Sequence, residues 1–183
     1  MSVHVALLHF PVYNKNKEVV TTCVTGFDLH DIARSCCTYG VKKYYVVNPI
    51  SAQRQFAERV LSHWKKEESL DFNPTRVEAF NLVSIKKDLK EVIEEISKTG
   101  RPIVVATSAR EKGTYSYSKL SDEIRKSKKP YLILFGTGWG MCEEVVDGAD
   151  IVLAPIKGST EYNHLSVRSA AAIILDKLLG KKE

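Results

Sequence analysis

Three features of the sequence point to an α/β fold, a mostly parallel sheet with helices on both faces. First, apolar, β-branched or aromatic stretches recur at Val3 to His9, Lys43 to Val47, Ala79 to Val83, Ile103 to Thr107, Tyr131 to Phe135 and Ile151 to Leu153. Several of them are near-continuously hydrophobic, as strands covered on both faces must be. Second, the segments between them carry apolar residues at helical spacing, so strand alternates with helix. Third, 183 residues without an internal repeat or a low-complexity tract fit a single domain, 1–183.

The elements follow in order. After the first strand, Ile32 and Cys36 lie one helical turn apart, with Asp28 placed to cap this helix and Gly40 to stop it. Phe56, Val60, Leu61 and Trp64 mark the helix after the second strand. Ile85, Leu89, Val92, Ile93 and Ile96 mark the next, with Ser84 as its cap and Gly100 at its end. Pro102 and Pro130 stand immediately before strands, where a missing N–H does little harm. In the last segment, Leu165 to Leu179, Ala170 to Ile174 leave little polar circumference, which predicts a helix packed on more than one side.

Composition excludes several classes. Hydrophobic residues make up 44% and charged residues 27%, which is globular rather than disordered. No apolar run approaches the roughly 18 residues of a membrane span, and the N-terminus does not read as a secretory signal, so a cytoplasmic protein is expected. Cys23, Cys36, Cys37 and Cys142 lack CxxC spacing and read as small buried hydrophobes. No metal is expected, since there is no H-E-x-x-H and no paired Cys/His spacing. Walker and G-x-S-x-G motifs are also absent. The net charge of +5 is a modest bias toward anionic partners.

Three stretches concentrate residues with chemical potential. In the run Gly136-Thr137-Gly138-Trp139-Gly140, a strand enters alternate glycines that either turn the chain tightly or let backbone approach a ligand. Around Leu153, Pro155, Ile156 and Gly158, another strand ends in a polar loop with Asn163, His164 and Ser166, where Asn163 or Ser166 can cap the last helix. Arg168 behind it reads as a surface or ion-paired residue. The third stretch runs from Val104 into Thr107, Ser108 and Arg110, then a basic loop and helix interleaved with Tyr115 and Tyr117. Such cations neutralise phosphates, and tyrosine rings stack on unpaired bases. Ligands of open α/β sheets bind at the carboxyl ends of strands, where all three stretches lie.

These residues carry a resemblance to the SPOUT-class, or α/β-knot, RNA methyltransferases that bind S-adenosylmethionine. Leu134 to Met141 resembles the family's second motif, and Ile151 to Gly158 with Asn163 to Ile174 resembles its third. Asp28 to Val41 resembles the first, in which an arginine on a helix precedes a glycine by six residues; Arg34 and Gly40 keep that spacing. Gly138-Trp139 stands in a shorter loop where ribose-methylating members usually carry a glutamate. No residue matches the aspartate base of the guanine-N1 branch.

The resemblance implies a C-terminal deep trefoil knot and a homodimer packed partly through the last helix. It also implies an S-adenosylmethionine slot made by the strand-end loops: Ala106, Thr107 and Ser108; Phe135, Gly136, Thr137 and Gly138; Leu153, Pro155, Ile156 and Gly158; and His164, Leu165, Ser166 and Ser169. Arg34 inherits a role beside the acceptor or pairs structurally with Asp28, Asp31 or a helix end. Arg110 and Asn163 are the other catalytic candidates. The expected substrate is tRNA or rRNA, methylated on a base nitrogen or a ribose 2′-oxygen. An RNA-binding module without catalysis and a nicotinamide-dependent oxidoreductase are the alternatives.

Overall fold

The structure, a computed structural model, describes residues 2–64, 71–110 and 113–181. Its centre is a six-stranded sheet of β1 (Ser2–Leu8), β4 (Lys43–Val47), β5 (Val83–Lys86), β6 (Ile103–Ala106), β7 (Pro130–Gly136) and β8 (Ile151–Val152). The strand order is β5-β4-β1-β7-β6-β8, and every pairing in the sheet is parallel. A late strand therefore lies beside the first: β7 inserts between β1 and β6, with Ser2 opposite Pro130 and Leu8 opposite Gly136, while β8 forms the edge beside β6. A short antiparallel hairpin, β2 (Val12–Tyr13) and β3 (Val19–Val20), follows β1 and was not visible in the sequence pattern.

Seven helices among the described residues cover the sheet: α1 (Gly26–Thr38), α2 (Ser51–Trp64), α3 (Pro74–Asn81), α4 (Leu89–Ser97), α5 (Tyr117–Lys126), α6 (Glu143–Asp147) and α7 (Val167–Leu179). Alternation along the strands divides the core in two. Val5 and Leu7, Tyr44 and Val46, Ile133 and Phe135 face one side with Leu29 and Ile32 of α1 and Ile174 and Leu178 of α7. Ala6 and Leu8, Tyr45 and Val47, Leu132 and Leu134 face the other, with Val92 and Ile96 of α4. Near-continuous hydrophobicity thus meant what it should, burial on both faces. The last helix packs on α1 and on α5, as its apolar circumference requires. No helix of the described residues is long and apolar enough to cross a membrane.

Several local expectations need correction. Ala79 to Val83 is not a strand: Asn73 accepts from Arg76 N at 3.1 Å, Pro74 opens α3, and Val77 and Phe80 bury one helical face. The strand begins at Val83 and takes Ile85 with it, so α4 starts later. Its cap is Asp88, accepting from Glu91 N at 2.9 Å, rather than Ser84. Likewise Thr25 caps α1, accepting from Asp28 N at 3.2 Å while its hydroxyl donates to the Asp28 carboxylate at 2.6 Å. Of the cysteines, Cys36 and Cys142 are buried and Cys37 is half-buried, but Cys23 is exposed.

Candidate functional site

The carboxyl ends of β1, β7, β6 and β8 gather at one edge of the molecule. Each outgoing loop is tied to its neighbour there. Thr107 donates from both its backbone N and its hydroxyl to Leu134 O, at 3.2 and 2.8 Å. Thr137 does the same to Leu8 O, at 3.2 and 3.1 Å. Leu153 N donates to Ala106 O at 3.0 Å. Paired donors of this kind hold a loop root rigid, so loop geometry is inherited from the sheet.

Residues 113–117, ahead of α5, pass against the chain that leaves β8. Tyr115 N donates to Val152 O at 3.2 Å, and Ala154 N donates back to Tyr115 O at 3.0 Å. The Tyr117 hydroxyl donates to Ala154 O at 2.8 Å and that of Tyr115 to Glu123 at 2.6 Å. Gly113 passes directly against Leu153. These two tyrosines, expected to stack on bases, secure the crossing with their hydroxyls, and each half-buried ring carries a lysine, Lys119 Nζ 4.6 Å from the Tyr115 centroid and Lys177 Nζ 5.6 Å from that of Tyr117. Arg125 is likewise engaged, donating to Gly180 O at 2.6 Å. Lys119, Lys126, Lys128 and Lys129 remain exposed, whereas Glu111 and Lys112 of the same basic stretch lie outside the described residues.

The loop leaving β7 is welded to the hairpin. Trp139 N donates to Tyr13 O and Tyr13 N to Gly140 O, both at 2.9 Å, and Cys142 N donates to Pro11 O at 3.2 Å. Gly138 has φ +58°, and a Cβ there would lie 2.9 Å from Tyr13 O. A Cβ on Gly136 would lie 2.6 Å from Met141 Cγ. At both positions the close approach is to the protein's own chain. Gly158, by contrast, has nothing within 4 Å of the place a Cβ would take, so open space borders its backbone.

The structure brings some candidates together and separates others. Arg110 donates to Trp139 O at 3.2 Å with its guanidinium 5.2 Å from the Tyr13 ring, and Asn163 Nδ2 donates to Ala109 O at 3.0 Å. These two therefore tie the three loops to one another. Thr107, Ser108, Pro155 and Ile156 are half-exposed around them, while the side chains of Ala106, Phe135 and Leu153 are buried in the core. His164 and Leu165 are exposed, and the His164 ring sits edge-on to Tyr162 at 5.5 Å. Ser166 rather than Asn163 caps α7, accepting from Ser169 N at 3.2 Å, with their hydroxyls 3.0 Å apart.

Arg34 stands apart from Arg110 and Asn163, exposed on α1. Its expected structural partners are taken: Asp28 by Thr25, and Asp31 by Arg168 at 3.8 Å. Arg168 also covers Phe27, 5.3 Å from its ring centre. Phe27, Asp31 and Arg168 line an open cleft of about 500 Å³ between α1 and α7, with Ser35, Ser166, Ser169 and Ala172. Arg34 neighbours Ser35 and lies one turn from Asp31.

A further polar network escaped the sequence. His9, fully buried at the end of β1, has Nδ1 2.9 Å from the Thr22 hydroxyl, which in turn bonds the Thr137 hydroxyl. Thr137 spends its proton on Leu8 O, so Thr22 must donate to Thr137 and His9 Nδ1–H must donate to Thr22. Nε2 is then a buried lone pair without a partner. Burial, partly offset by Asp28, pushes the imidazole down from 6.5 to about 4. The only sequence signal was a histidine at a strand's end.

A family model described as SAM-dependent RNA methyltransferase matches residues 2–180. An uncharacterized protein of Aquifex aeolicus is 45% identical over 183 residues, covering 98% of this chain and 89% of the relative. A tRNA (guanine-N(1)-)-methyltransferase of Nitratidesulfovibrio vulgaris is 42% identical over 181 residues, covering 98% of this chain but only 42% of that protein. The chain thus spans less than half of this larger relative. Among solved structures, the SpoU methyltransferase AviRb from Streptomyces viridochromogenes superposes with a TM-score of 0.61 at 16% identity, covering 97% of this chain and 58% of that one. At that identity the likeness is one of fold.

Proposed function

The chain belongs to the family of SAM-dependent RNA methyltransferases, and from that premise we propose that it methylates an oxygen or nitrogen of tRNA. The observation that carries the reading is the convergence of residues 107–110, 135–138 and 153–166 at the strand ends, their loops tied together by Arg110 and Asn163. These residues suit S-adenosylmethionine: Pro155 and Ile156 offer apolar surface to an adenine, and open space borders the backbone at Gly158. Thr107, Ser108, Ser166 and Ser169 supply hydroxyls around the slot, with Thr137 bracing its β7 side. The choice of tRNA rests on the name of the larger relative. The nicotinamide-dependent alternative gives way to the family match.

When bound, S-adenosylmethionine supplies an electrophilic methyl group on a sulfonium. The chain's own work is to align an RNA nucleophile with that methyl and to handle one proton. Arg110 holds the substrate's anionic backbone beside the slot, and Asn163 keeps the third loop against the first. Arg34 acts from α1. In a homodimer packed partly through α7, with substrate lying across the interface, Arg34 on the neighbouring α1 would act beside the acceptor.

The close passage of Gly113, Tyr115 and Tyr117 against residues 152–154 supports a knotted reading, in which the C-terminal segment is threaded as a deep trefoil. Activity on tRNA fits a cytoplasmic enzyme. Calorimetric titration with S-adenosylmethionine, its demethylated product and NAD tests the reading. Saturable binding of the first two without NAD is expected, followed by transfer of a labelled methyl into tRNA in preference to rRNA. Absence of cofactor binding would overturn it in favour of a cofactor-free RNA-binding module.

A further inference from the structure

We propose that Trp139 is the platform on which an unpaired nucleobase of the RNA substrate stacks, with Arg110 and the hairpin lysines holding the adjoining phosphates. The inference rests on the RNA-methylation reading and adds the group that recognises the RNA. The indole is 61% exposed, whereas the chain's other tryptophan, Trp64, is packed against His30, Phe80 and Arg76. Among the described residues, Trp139 makes no ring or cation contact of its own, so one large apolar face meets water beside the three-loop site. An indole left open next to a polar site is ready for a planar partner.

Its backbone, unlike its side chain, is clamped on every side. Trp139 N donates to Tyr13 O at 2.9 Å, its carbonyl accepts from Arg110 at 3.2 Å, and Gly140 N closes the turn onto Thr137 O at 3.0 Å. The ring is therefore displayed from a rigid tip, so little freedom is lost when a base settles on it. Beside it Arg110 lies over Tyr13, and the hairpin turn that follows Tyr13 exposes Lys15 and Lys17 together with Glu18. Aromatic surface flanked by cations fits an unpaired, phosphate-linked base better than an apolar protein partner. Tyr115 and Tyr117, the other aromatics of the basic region, are already committed to the crossing under Ala154.

The test compares the wild-type protein with Trp139→Ala and Trp139→Phe, titrated with unmodified tRNA transcripts and, separately, with S-adenosylmethionine. Transcripts should quench tryptophan emission of the wild type but not of Trp139→Phe, in which only Trp64 reports. Trp139→Ala should bind transcripts about tenfold more weakly, the loss of one stacked base, while Trp139→Phe stays within about threefold of the wild type. S-adenosylmethionine should bind all three proteins alike, which also verifies their folding. No quenching, unchanged transcript affinity in Trp139→Ala, or a change in its sedimentation mass without loss of RNA affinity would overturn the stacking role. A wild type that fails to bind S-adenosylmethionine would instead overturn the methyltransferase reading, and the transcript titrations would still decide on stacking.

Discussion

Gly113 runs so close to Leu153 that a Cβ on it would lie 1.8 Å from the Leu153 carbonyl oxygen. Neither side can yield cheaply, because Leu153 N is held by Ala106 O and the flanking residues by Tyr115. Gly113→Ala should therefore open the crossing of the two loops and destabilise the protein by at least about 2 kcal/mol. Denaturant unfolding measures this directly. A variant as stable as the wild type would mean that the two chains do not approach so closely.

His9 gives the protein an acid-sensitive point. Its imidazole is held near 4 when folded, against 6.5 when free, so between those values the unfolded chain binds the proton that the folded one refuses. The stabilisation is complete above pH 6.5 and lost as pH falls toward 4, by roughly 3 kcal/mol. His9→Asn places an amide near Nδ1 without a titrating ring. Its stability should fall less steeply from pH 6.5 to 4 than that of the wild type, in unfolding curves taken at a series of pH values.

Ser166 is a cap at the site's edge. Its hydroxyl satisfies Ser169 N, and Ser166→Ala should lower stability by about 1 kcal/mol. Thermal melting would show whether the loss is of this size, and a drop of several kcal/mol would assign the hydroxyl more than a cap.

Arg34 is exposed, with its nearest acids engaged elsewhere. Arg34→Ala should leave stability within about 0.5 kcal/mol, yet slow methyl transfer at least tenfold under saturating S-adenosylmethionine. Unchanged transfer rates would remove Arg34 from the active site.

The sheet was legible because burial on both faces writes itself as hydrophobic runs, and five of the six expected strands lie within two residues of where they form. The Ala79 to Val83 stretch misled because Phe80 serves a helix face and Val83 a strand, and hydrophobicity alone does not separate adjoining elements. Capping was misassigned for related reasons: Thr25 and Asp88 each stand a few residues from an equally suitable polar side chain. At the site, the glycines were visible but their partners were not. That Gly138 meets Tyr13 and Gly136 meets Met141 depends on a hairpin of two-residue strands, too short for periodicity to reveal. The His9–Thr22–Thr137 chain joins residues well over a hundred positions apart, beyond the reach of any local pattern.

The placement of β7 between β1 and β6 sets the timing of the chain's birth. The ribosome makes β1 first, yet the strand that covers one of its edges follows about 130 residues later, on the order of ten seconds at typical elongation rates. Throughout that interval Val3, Val5 and Leu7 belong to a strand with one open, apolar edge, the kind that neighbouring nascent chains can pair with. Conditions that slow translation between β5 and β7 should therefore lower the soluble yield more than equal delays placed after β7.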